Sequence, residues 1–427
     1  MGSGLSTMKG SGTKGNAIAP ARGATYGADY DVSEAIDILE AAVGRLSPSE
    51  PSSRNLQSVC ALLRSMVQNE RKGASMPDRL APMVSVPEAL IHCRPPTLAQ
   101  AMPGGSELDV GVDVPPPLDA KLSMQIEEWS FNLHEVPDAE LPALAYGAMI
   151  KHPEFSEMDL NKKRLWRFIK EISSRYRANP FHSFRHAVDV TLASSFLVRM
   201  VQRHNPEILK DPQYVVALLV AALVHDTDHL GVMNGFLQAT RHPLAVMYNN
   251  QSILENHHCA TALSLLERPE LNFLAALPVE NQVTIKRFIT LCVLSTDVTT
   301  HMKFMKQFSA LLADSSGASI TYDVVMQVVI KAADISNPTR NLEVYKPWIE
   351  GVMKEFFAQG DAERELGLPI SMNCDRNVVD VSNCQVGFIK FLVKPLFSGL
   401  AEFIPELNDS IMPTLEANLA HFAAGGT

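Results

Sequence analysis

The sequence of 427 residues contains six cysteines but no pair of them at the CxxC spacing that zinc and redox sites favour. The cysteines are instead scattered along the chain, at Cys60, Cys93, Cys259, Cys292, Cys374 and Cys384. This distribution is typical of reduced thiols in a cytosolic protein. We therefore predict neither a disulfide framework nor a cysteine-bound zinc ion.

Long apolar runs are also missing. The longest, VVALLVAALV at residues 215–224, is about half the length that a membrane-spanning helix needs. No hydrophobic secretory segment follows the first methionine. These absences predict a cytoplasmic protein without a transmembrane segment.

Positive charge is scarce as well, because the 37 lysines and arginines are outnumbered by 47 aspartates and glutamates, which gives a net charge of −10. Binding to nucleic acid by diffuse electrostatics needs a surplus of basic residues on one face. We therefore predict no nucleic-acid partner. A small anionic substrate remains compatible with this balance if a local cationic site receives it.

The chain begins MGSGLS, which matches the N-myristoylation pattern through Gly2 and Ser6. A single acyl chain gives only marginal, reversible membrane binding, so a modified chain would still spend time in the cytosol. The alternative is a plain Gly/Ser-rich tail, and the composition of residues 1–30 predicts disorder in either case.

Three segments precede the predicted main domain. After the tail, apolar residues recur at helical spacing on both sides of a SPSEPSSR turn, which predicts a helical hairpin over residues 31–72. Two short amphipathic helices must pack on something, so the hairpin is a candidate regulatory or homodimerisation segment, or a simple packing appendage. The many prolines of residues 73–118 predict an extended linker.

Residues 119–427 show helical periodicity almost throughout, with no alternating strand pattern. Capping signals support this, for example Asp211 and Pro212 directly before the apolar run. We therefore predict an all-α fold, a compact multi-helix domain of about 300 residues.

Histidine and aspartate side chains cluster at predicted helix ends. NPFHSFRHAVDVT places His182 and His186 four residues apart, and LVHDTDHLGVMN places His225 and His229 at the same spacing, directly after the apolar run. On a helix, side chains at this spacing share a face. Buried polar groups need compensation, and a metal ion is the strongest candidate.

A third segment, VIKAADISNPTR, ends another apolar helix at Asp334. His186, His225, Asp226 and Asp334 form a mixed nitrogen and oxygen set that suits Zn²⁺. Asp226 could bridge to a second, harder ion, Mg²⁺ or Mn²⁺. His134 and Glu135 could begin the HExxH motif of zinc proteases, but position 138 is aspartate, so the motif is absent. A pair of metal ions favours phosphoester hydrolysis instead.

With these motifs the sequence resembles the HD phosphohydrolase superfamily, and within it the class I 3',5'-cyclic nucleotide phosphodiesterases. The resemblance starts near Trp129 and continues in order through MYNNQSILENHH, LSTDVTTH, KEFFAQGDAERELG and NCQVGFIKF. It implies metal-dependent hydrolysis of cAMP or cGMP to the 5'-monophosphate. It also implies that His182 is the general acid that protonates O3′ and that Glu255 orients it.

The resemblance assigns further residues to the site. Four residues are implied to fix metal-bound water and the geometry around the direct metal ligands: His229, Asn234, Thr296 and Asp297. Those implied to contact the purine are Gln385, Phe388, Asn337, Tyr345, Trp348, Val352 and Phe356. A glutamine amide can pair with either adenine or guanine, so Gln385 does not decide between the two nucleotides. The local signals conflict, because Asn337 together with Tyr345 favours cAMP, whereas the segment NPFHSFRH is closer to cGMP-preferring relatives. We predict a slight preference for cAMP.

Three positions depart from the family pattern: Ser183 replaces an asparagine, Phe181 a tyrosine and Leu230 a proline. None removes a metal ligand or the acid, so we expect an effect on turnover and not on the reaction class. Two alternatives remain. One is an HD-type hydrolase of another nucleotide phosphoester, and the other is a catalytically weak cyclic nucleotide sensor.

Overall fold

The computed structural model of the chain describes residues 115–313 and 320–426. Within these ranges the regular elements are all helical, which confirms the predicted all-α fold. The α-helices are α1 Ala120–Gln125, α2 Leu141–Ile150, α3 Glu154–Glu157, α4 Lys162–Arg175, α5 Phe184–His204, α6 Pro212–Val224, α7 Asn234–Ala239, α8 Pro243–Met247, α9 Ile253–Leu266, α10 Val279–Ser295, α11 His301–Leu312, α12 Tyr322–Asp334, α13 Leu342–Glu365, α14 Val381–Phe388, α15 Lys394–Phe403, α16 Leu407–Ser410 and α17 Met412–Ala423.

Shorter turns connect some of these helices. Four are 3₁₀ turns, at Leu133–Glu135, Asp138–Glu140, Val298–Thr300 and Asn337–Thr339, and a π-helical turn at Ile389–Val393 joins α14 to α15.

Helix α6 lies at the centre of the domain. Its start is the predicted one, because Asp211 Oδ1 accepts a hydrogen bond from the backbone N–H of Gln213 at 3.0 Å and Pro212 occupies the first turn. Every residue from Val215 to Val224 is buried, and the helix packs against α5, α10 and α12. A helix that is apolar on all sides belongs in a core. The residues that directly follow α6, beginning with His225, are therefore located in the interior of the protein.

Helix packing brings three helix ends to one place. Helix α5 packs on both α6 and α12. His186, in its first turn, lies 3.1 Å from Asp334 at the end of α12 and 3.7 Å from Asp226, just after the end of α6. Helix α13 approaches the same place at Gly351, where an added Cβ would lie only 2.6 Å from the carbonyl oxygen of Pro180. Only glycine allows this approach without a shift of the backbone. The polar residues at these ends consequently face a common cavity.

Several sequence predictions lie outside the described residues and stay predictions: the tail of residues 1–30 with Gly2, the hairpin of residues 31–72, and most of the linker of residues 73–118. The first described helix begins at Ala120, and the side chain of Asp119 caps it. Among the described helices, none combines the length and the apolar character needed to cross a bilayer.

Candidate active site

A cavity of about 630 Å³ opens where the helix ends meet. It is lined on one side by histidines and carboxylates and on the other by aromatic and aliphatic side chains. A pocket that is mostly apolar with a few converging polar groups is the usual form of a small-molecule site.

The four predicted metal ligands converge at the polar end. His186 Nε2 lies 3.1 Å from Asp334 Oδ1 and 3.7 Å from Asp226 Oδ2, and His225 Nε2 lies 3.2 Å from Asp226 Oδ2 and 3.4 Å from Asp334 Oδ1. His225 Nδ1 donates a hydrogen bond to the carbonyl oxygen of Ala222 at 2.8 Å, which leaves Nε2 to bind an ion.

The residues fit a divalent metal. His225 Nε2 is buried, and the hydrogen bonds of the described residues leave it without a partner. Burial by itself lowers the pKa of His225, but Asp226 and Asp334 raise it well above its ordinary value. Burial raises the pKa of Asp334, but His186 and His225 hold it far below the usual range. The two carboxylates thus favour positive charge at His225 Nε2, and a divalent ion would supply that charge in place of the proton.

The structure corrects one detail of the histidine spacing. Helix α5 begins only at Phe184, so His182 precedes it, and α6 ends at Val224, so His225 and His229 do not share a helical turn. A left-handed backbone at Asp228, with φ of 62°, ends the helical path. The imidazoles nevertheless meet, because His182 stacks on His229 with ring centroids 3.8 Å apart.

His182 is bound by Glu355 of α13, and not by Glu255 as predicted. His182 Nδ1 lies 2.5 Å from Glu355 Oε2, while Glu355 Oε1 accepts hydrogen bonds from the backbone N–H groups of Phe181 and His182 at 2.7 and 2.8 Å. The pairing predicted with Glu255 is wrong. Glu255 lies near the start of α9 and accepts a hydrogen bond from Asn234 Nδ2 at 3.0 Å.

The two glutamates have opposite electrostatic surroundings. Burial raises the pKa of Glu255 to about 7. Burial acts on Glu355 in the same direction, but His182 and the two backbone N–H groups lower its pKa below the usual value. Burial also lowers the pKa of His182, and the attraction of Glu355 outweighs this and raises it to about 9. His182 is therefore held as a cation with a proton to donate.

A second group of potential ligands lies beside the first. Ligand atoms of Asp226, His229 and His258 lie within 4.8 Å of one another, and all three side chains are buried. Burial lowers the pKa of His229 well below its ordinary value and that of His258 to about 4, so both rings are neutral. Asp226 belongs to both groups, as a bridging carboxylate requires. His258 was missed, although it stands in the ENHH segment.

The other residues predicted near the ions also line the cavity. Asn234 Oδ1 accepts from the backbone N–H of Leu254 at 2.9 Å, Asp297 Oδ2 accepts from Ser252 Oγ at 2.6 Å, and Thr296 Oγ1 donates to the carbonyl oxygen of Val293 at 2.8 Å. These bonds fix the side chains in place.

Two further supporting residues escaped prediction. Asn179 Nδ2 donates to the carbonyl oxygens of His182 and His229, at 3.0 and 2.8 Å, and so ties the two stacked histidines together. The Tyr176 hydroxyl donates to the carbonyl oxygen of Leu223 at 2.8 Å and accepts from the backbone N–H of Asp226 at 3.3 Å. Asn179 opens the NPFHSFRHAVDVT segment and Tyr176 lies three residues before it, but neither is a histidine or a carboxylate, the residue types that mark the metal ligands.

The three departures from the family pattern are accommodated. Phe181 packs on His186 with ring centroids 4.6 Å apart, and Leu230 is buried. Ser183 is the N-cap of α5 but makes no side-chain capping bond. The turn that proline would stiffen is followed by Gly231, whose φ of 71° suits glycine.

The lining of the cavity contains every residue predicted to contact the purine: Asn337, Tyr345, Trp348, Val352, Phe356, Gln385 and Phe388. Two of the polar side chains have fixed orientations. The Tyr345 hydroxyl donates to Gln385 Oε1, and Asn337 Nδ2 donates to Asp189 Oδ2 at 3.1 Å. Gln385 Nε2 and Asn337 Oδ1 are thus the donor and the acceptor that remain for a ligand.

Comparison with known proteins agrees with this geometry. The sequence model of the 3'5'-cyclic nucleotide phosphodiesterase family matches residues 181–414, more than half of the chain. Over 307 residues the chain is 31% identical to a probable 3',5'-cyclic-AMP phosphodiesterase of Caenorhabditis elegans, covering 69% of this chain and 45% of that protein. Over 267 residues it is 33% identical to the high affinity cGMP-specific 3',5'-cyclic phosphodiesterase 9A of Mus musculus, and this match covers 62% of this chain and 49% of that protein.

The chain thus spans about half the length of the curated relatives it matches. Among solved structures, it is similar to the phosphodiesterase domain of the RhoPDE fusion protein from the choanoflagellate Salpingoeca rosetta. The TM-score is 0.65 at 29% identity, and the match covers 70% of this chain and 95% of that one. The chain therefore belongs to the 3'5'-cyclic nucleotide phosphodiesterase family.

Proposed function

We propose that the protein hydrolyses the 3',5'-cyclic phosphodiester of cAMP or cGMP to the 5'-nucleoside monophosphate in a metal-dependent reaction. The observation that carries the proposal is the placement of His186, His225, Asp226 and Asp334 beside the His182–Glu355 pair, in a cavity whose other side is aromatic. Hydrolysis of a phosphodiester needs charge compensation and a proton for the leaving oxygen, and both are present within one cavity.

For the metals we propose Zn²⁺ held by His186, His225, Asp226 and Asp334, and Mg²⁺ or Mn²⁺ held next to it by Asp226. Two imidazoles and two carboxylates suit zinc, whereas carboxylate with water suits the harder ions. A divalent pair at such a site supplies a nucleophile at neutral pH and neutralises phosphoryl charge. The rings of His229 and His258, whose ligand atoms lie within 4.8 Å of those of Asp226, would orient water around a second ion held there.

His182 is the proposed proton donor. As the oxygen of a water molecule bonds to phosphorus and the P–O3′ bond breaks, the electron pair of that bond goes to O3′, and the imidazolium of His182 transfers its proton there. Glu355 keeps the imidazole charged until that moment and holds its ring in position through Nδ1. The other ring nitrogen is then the one that donates. Asn179 and the stacked His229 maintain the same orientation.

For the base we propose Gln385 and Asn337 as hydrogen-bonding partners and Phe388 as the stacking ring. A slight preference for cAMP follows from Asn337 Oδ1, because an acceptor at this point suits the 6-amino group of adenine. The names of the relatives include both a cyclic-AMP and a cGMP-specific enzyme, so the proposal covers both nucleotides.

Two further proposals concern residues outside the described ranges. One is reversible membrane association through a myristoylated Gly2, and the other is homodimerisation through residues 31–72. The sequence patterns given above support them.

The direct test is chromatographic hydrolysis of cAMP and cGMP side by side, with Mg²⁺ or Mn²⁺ and with a chelator. We expect 5'-AMP or 5'-GMP to form only when metal is present, with kcat/KM slightly higher for cAMP. If neither nucleotide is cleaved by a protein shown to hold its metals, the reaction class is wrong. Another HD-type phosphohydrolase or a nucleotide sensor would then be favoured.

The Glu355–His182 pair predicts a pH effect. The acid role needs protonated His182, which is present at low pH and is lost as pH rises through its pKa of about 9. Glu355→Gln removes the negative charge that raises this pKa, so we expect the alkaline limb of the kcat profile to move to lower pH. The measurement is kcat from pH 6 to 10. Glu350→Gln, at an exposed position of α13, is the control. An unchanged alkaline limb in Glu355→Gln would refute the role of the pair.

A further inference from the structure

A buried lysine lies in the cavity without a role in the mechanism above. Lys331 stands one turn before Asp334 on α12 and is only 3% exposed. Its Nζ donates a hydrogen bond to the carbonyl oxygen of Ser295 at 2.5 Å and lies over the ring of Phe304, 5.6 Å from its centroid. Burying an ammonium group costs several kcal/mol unless other groups compensate the charge, so its position calls for an explanation.

The compensation comes from the metal region. Burial lowers the pKa of Lys331, and the carboxylates of Asp334, Asp297 and Glu255 oppose that shift. These three carboxylates line the same cavity, together with Asp226 and Glu355. Among the described residues that line it, Lys331 is the only lysine or arginine.

The charges of the cavity suggest what this lysine does. Five carboxylates line this cavity, and Lys331 adds a positive charge that a bound divalent ion would meet. The ammonium group is covalently part of the chain, whereas the ions exchange with solvent. A fixed positive charge in the same cavity as these carboxylates repels a divalent cation more strongly than a monovalent one.

We propose that Lys331 is a positioning residue that limits how tightly the second divalent ion binds. Its charge offsets part of the attraction of Asp297 and Asp334, and its hydrogen bond to Ser295 holds the chain just before Thr296 and Asp297. This inference rests on the proposed two-metal function. It makes the second ion exchangeable while the first remains bound by four direct ligands.

The test separates the charge from the hydrogen bond. Lys331→Gln keeps a donor for the Ser295 carbonyl without the charge, Lys331→Met removes both, and Lys331→Arg keeps both. Mn²⁺ is titrated into the zinc-loaded full chain without nucleotide, and free Mn²⁺ is measured by electron paramagnetic resonance. Lys306→Gln, which removes a positive charge from an exposed position of α11, is the control.

We expect Mn²⁺ to bind about tenfold or more tightly in Lys331→Gln and in Lys331→Met, and with native affinity in Lys331→Arg and Lys306→Gln. The Mn²⁺ concentration for half-maximal hydrolysis should fall in parallel, while the KM for nucleotide stays unchanged. Thermal melting checks that each variant is folded.

Unchanged or weaker Mn²⁺ binding in Lys331→Gln would overturn the proposal. Native affinity in Lys331→Gln together with weaker binding in Lys331→Met would show that only the hydrogen bond matters, which also overturns it. If the native chain binds no Mn²⁺ at all, the proposed metal-dependent function fails first. If instead the native chain binds Mn²⁺ and the Lys331 variants bind it with the same affinity, only the proposal for Lys331 fails.

Discussion

Replacing His182 with alanine is expected to lower kcat by about 10²- to 10⁴-fold, the range that a general acid contributes, while both metals remain bound. The metals should remain because His182 is not among the four proposed ligands. Folding should survive as well, since Glu355 would still accept two backbone hydrogen bonds, from Phe181 and from residue 182. The measurements are steady-state hydrolysis and metal content by mass spectrometry.

The matched control for this prediction is His204→Ala, which removes a histidine at the C-terminal end of α5, the helix that begins just after His182, outside the residues that line the cavity. Native turnover is expected in that variant. Native turnover in a fully metallated His182→Ala protein would show that another group supplies the proton. A loss of bound metal in the same variant would show that His182 acts mainly as a ligand.

Replacing Asp334 with alanine is expected to abolish activity by a different route. Asp334 Oδ1 lies within 3.1 and 3.4 Å of the two histidine nitrogens, so its removal takes away a proposed direct ligand. Loss of a partner that only orients a ligand costs about 10- to 100-fold in metal affinity, and loss of a direct ligand should exceed this. Zinc content after dialysis against a weak chelator should therefore fall to background, and hydrolysis with it.

Asp323→Ala provides the comparison, because Asp323 lies in the first turn of the same helix and is partly exposed near Arg287. It should keep its zinc and its activity. A zinc-replete and active Asp334→Ala protein would contradict the proposed ligand set. Added zinc that restores hydrolysis would indicate weakened binding and support the ligand role.

Prediction from sequence succeeded where the information is local. The apolar run 215–224 and its capping residues specify a buried helix, and the structure has it as α6 with the cap at Asp211. Asp334 likewise ends α12 as predicted. Periodicity and capping depend on residues within one or two turns of each other, so they can be read without knowing how the helices pack.

The error at Glu255 has the opposite cause. Both Glu255 and Glu355 line the cavity, and both lie on helices in segments that resemble the family. Which of them meets His182 depends on the close approach of α13 to the loop before α5, which Gly351 allows. That approach joins residues 173 positions apart in the chain. No local pattern encodes such a contact.

The sequence by itself determined the all-helical fold and, through the spacing of histidines and aspartates at helix ends, indicated the four metal-ligand candidates, while the family resemblance named the candidates for the purine pocket. Only the tertiary structure decided the partner of His182, the place of His258 beside Asp226, and the burial of Lys331 among carboxylates. The physical reason is that pKa values and metal affinity depend on distances between charges and on their burial. Those quantities exist only once separate helices have packed together.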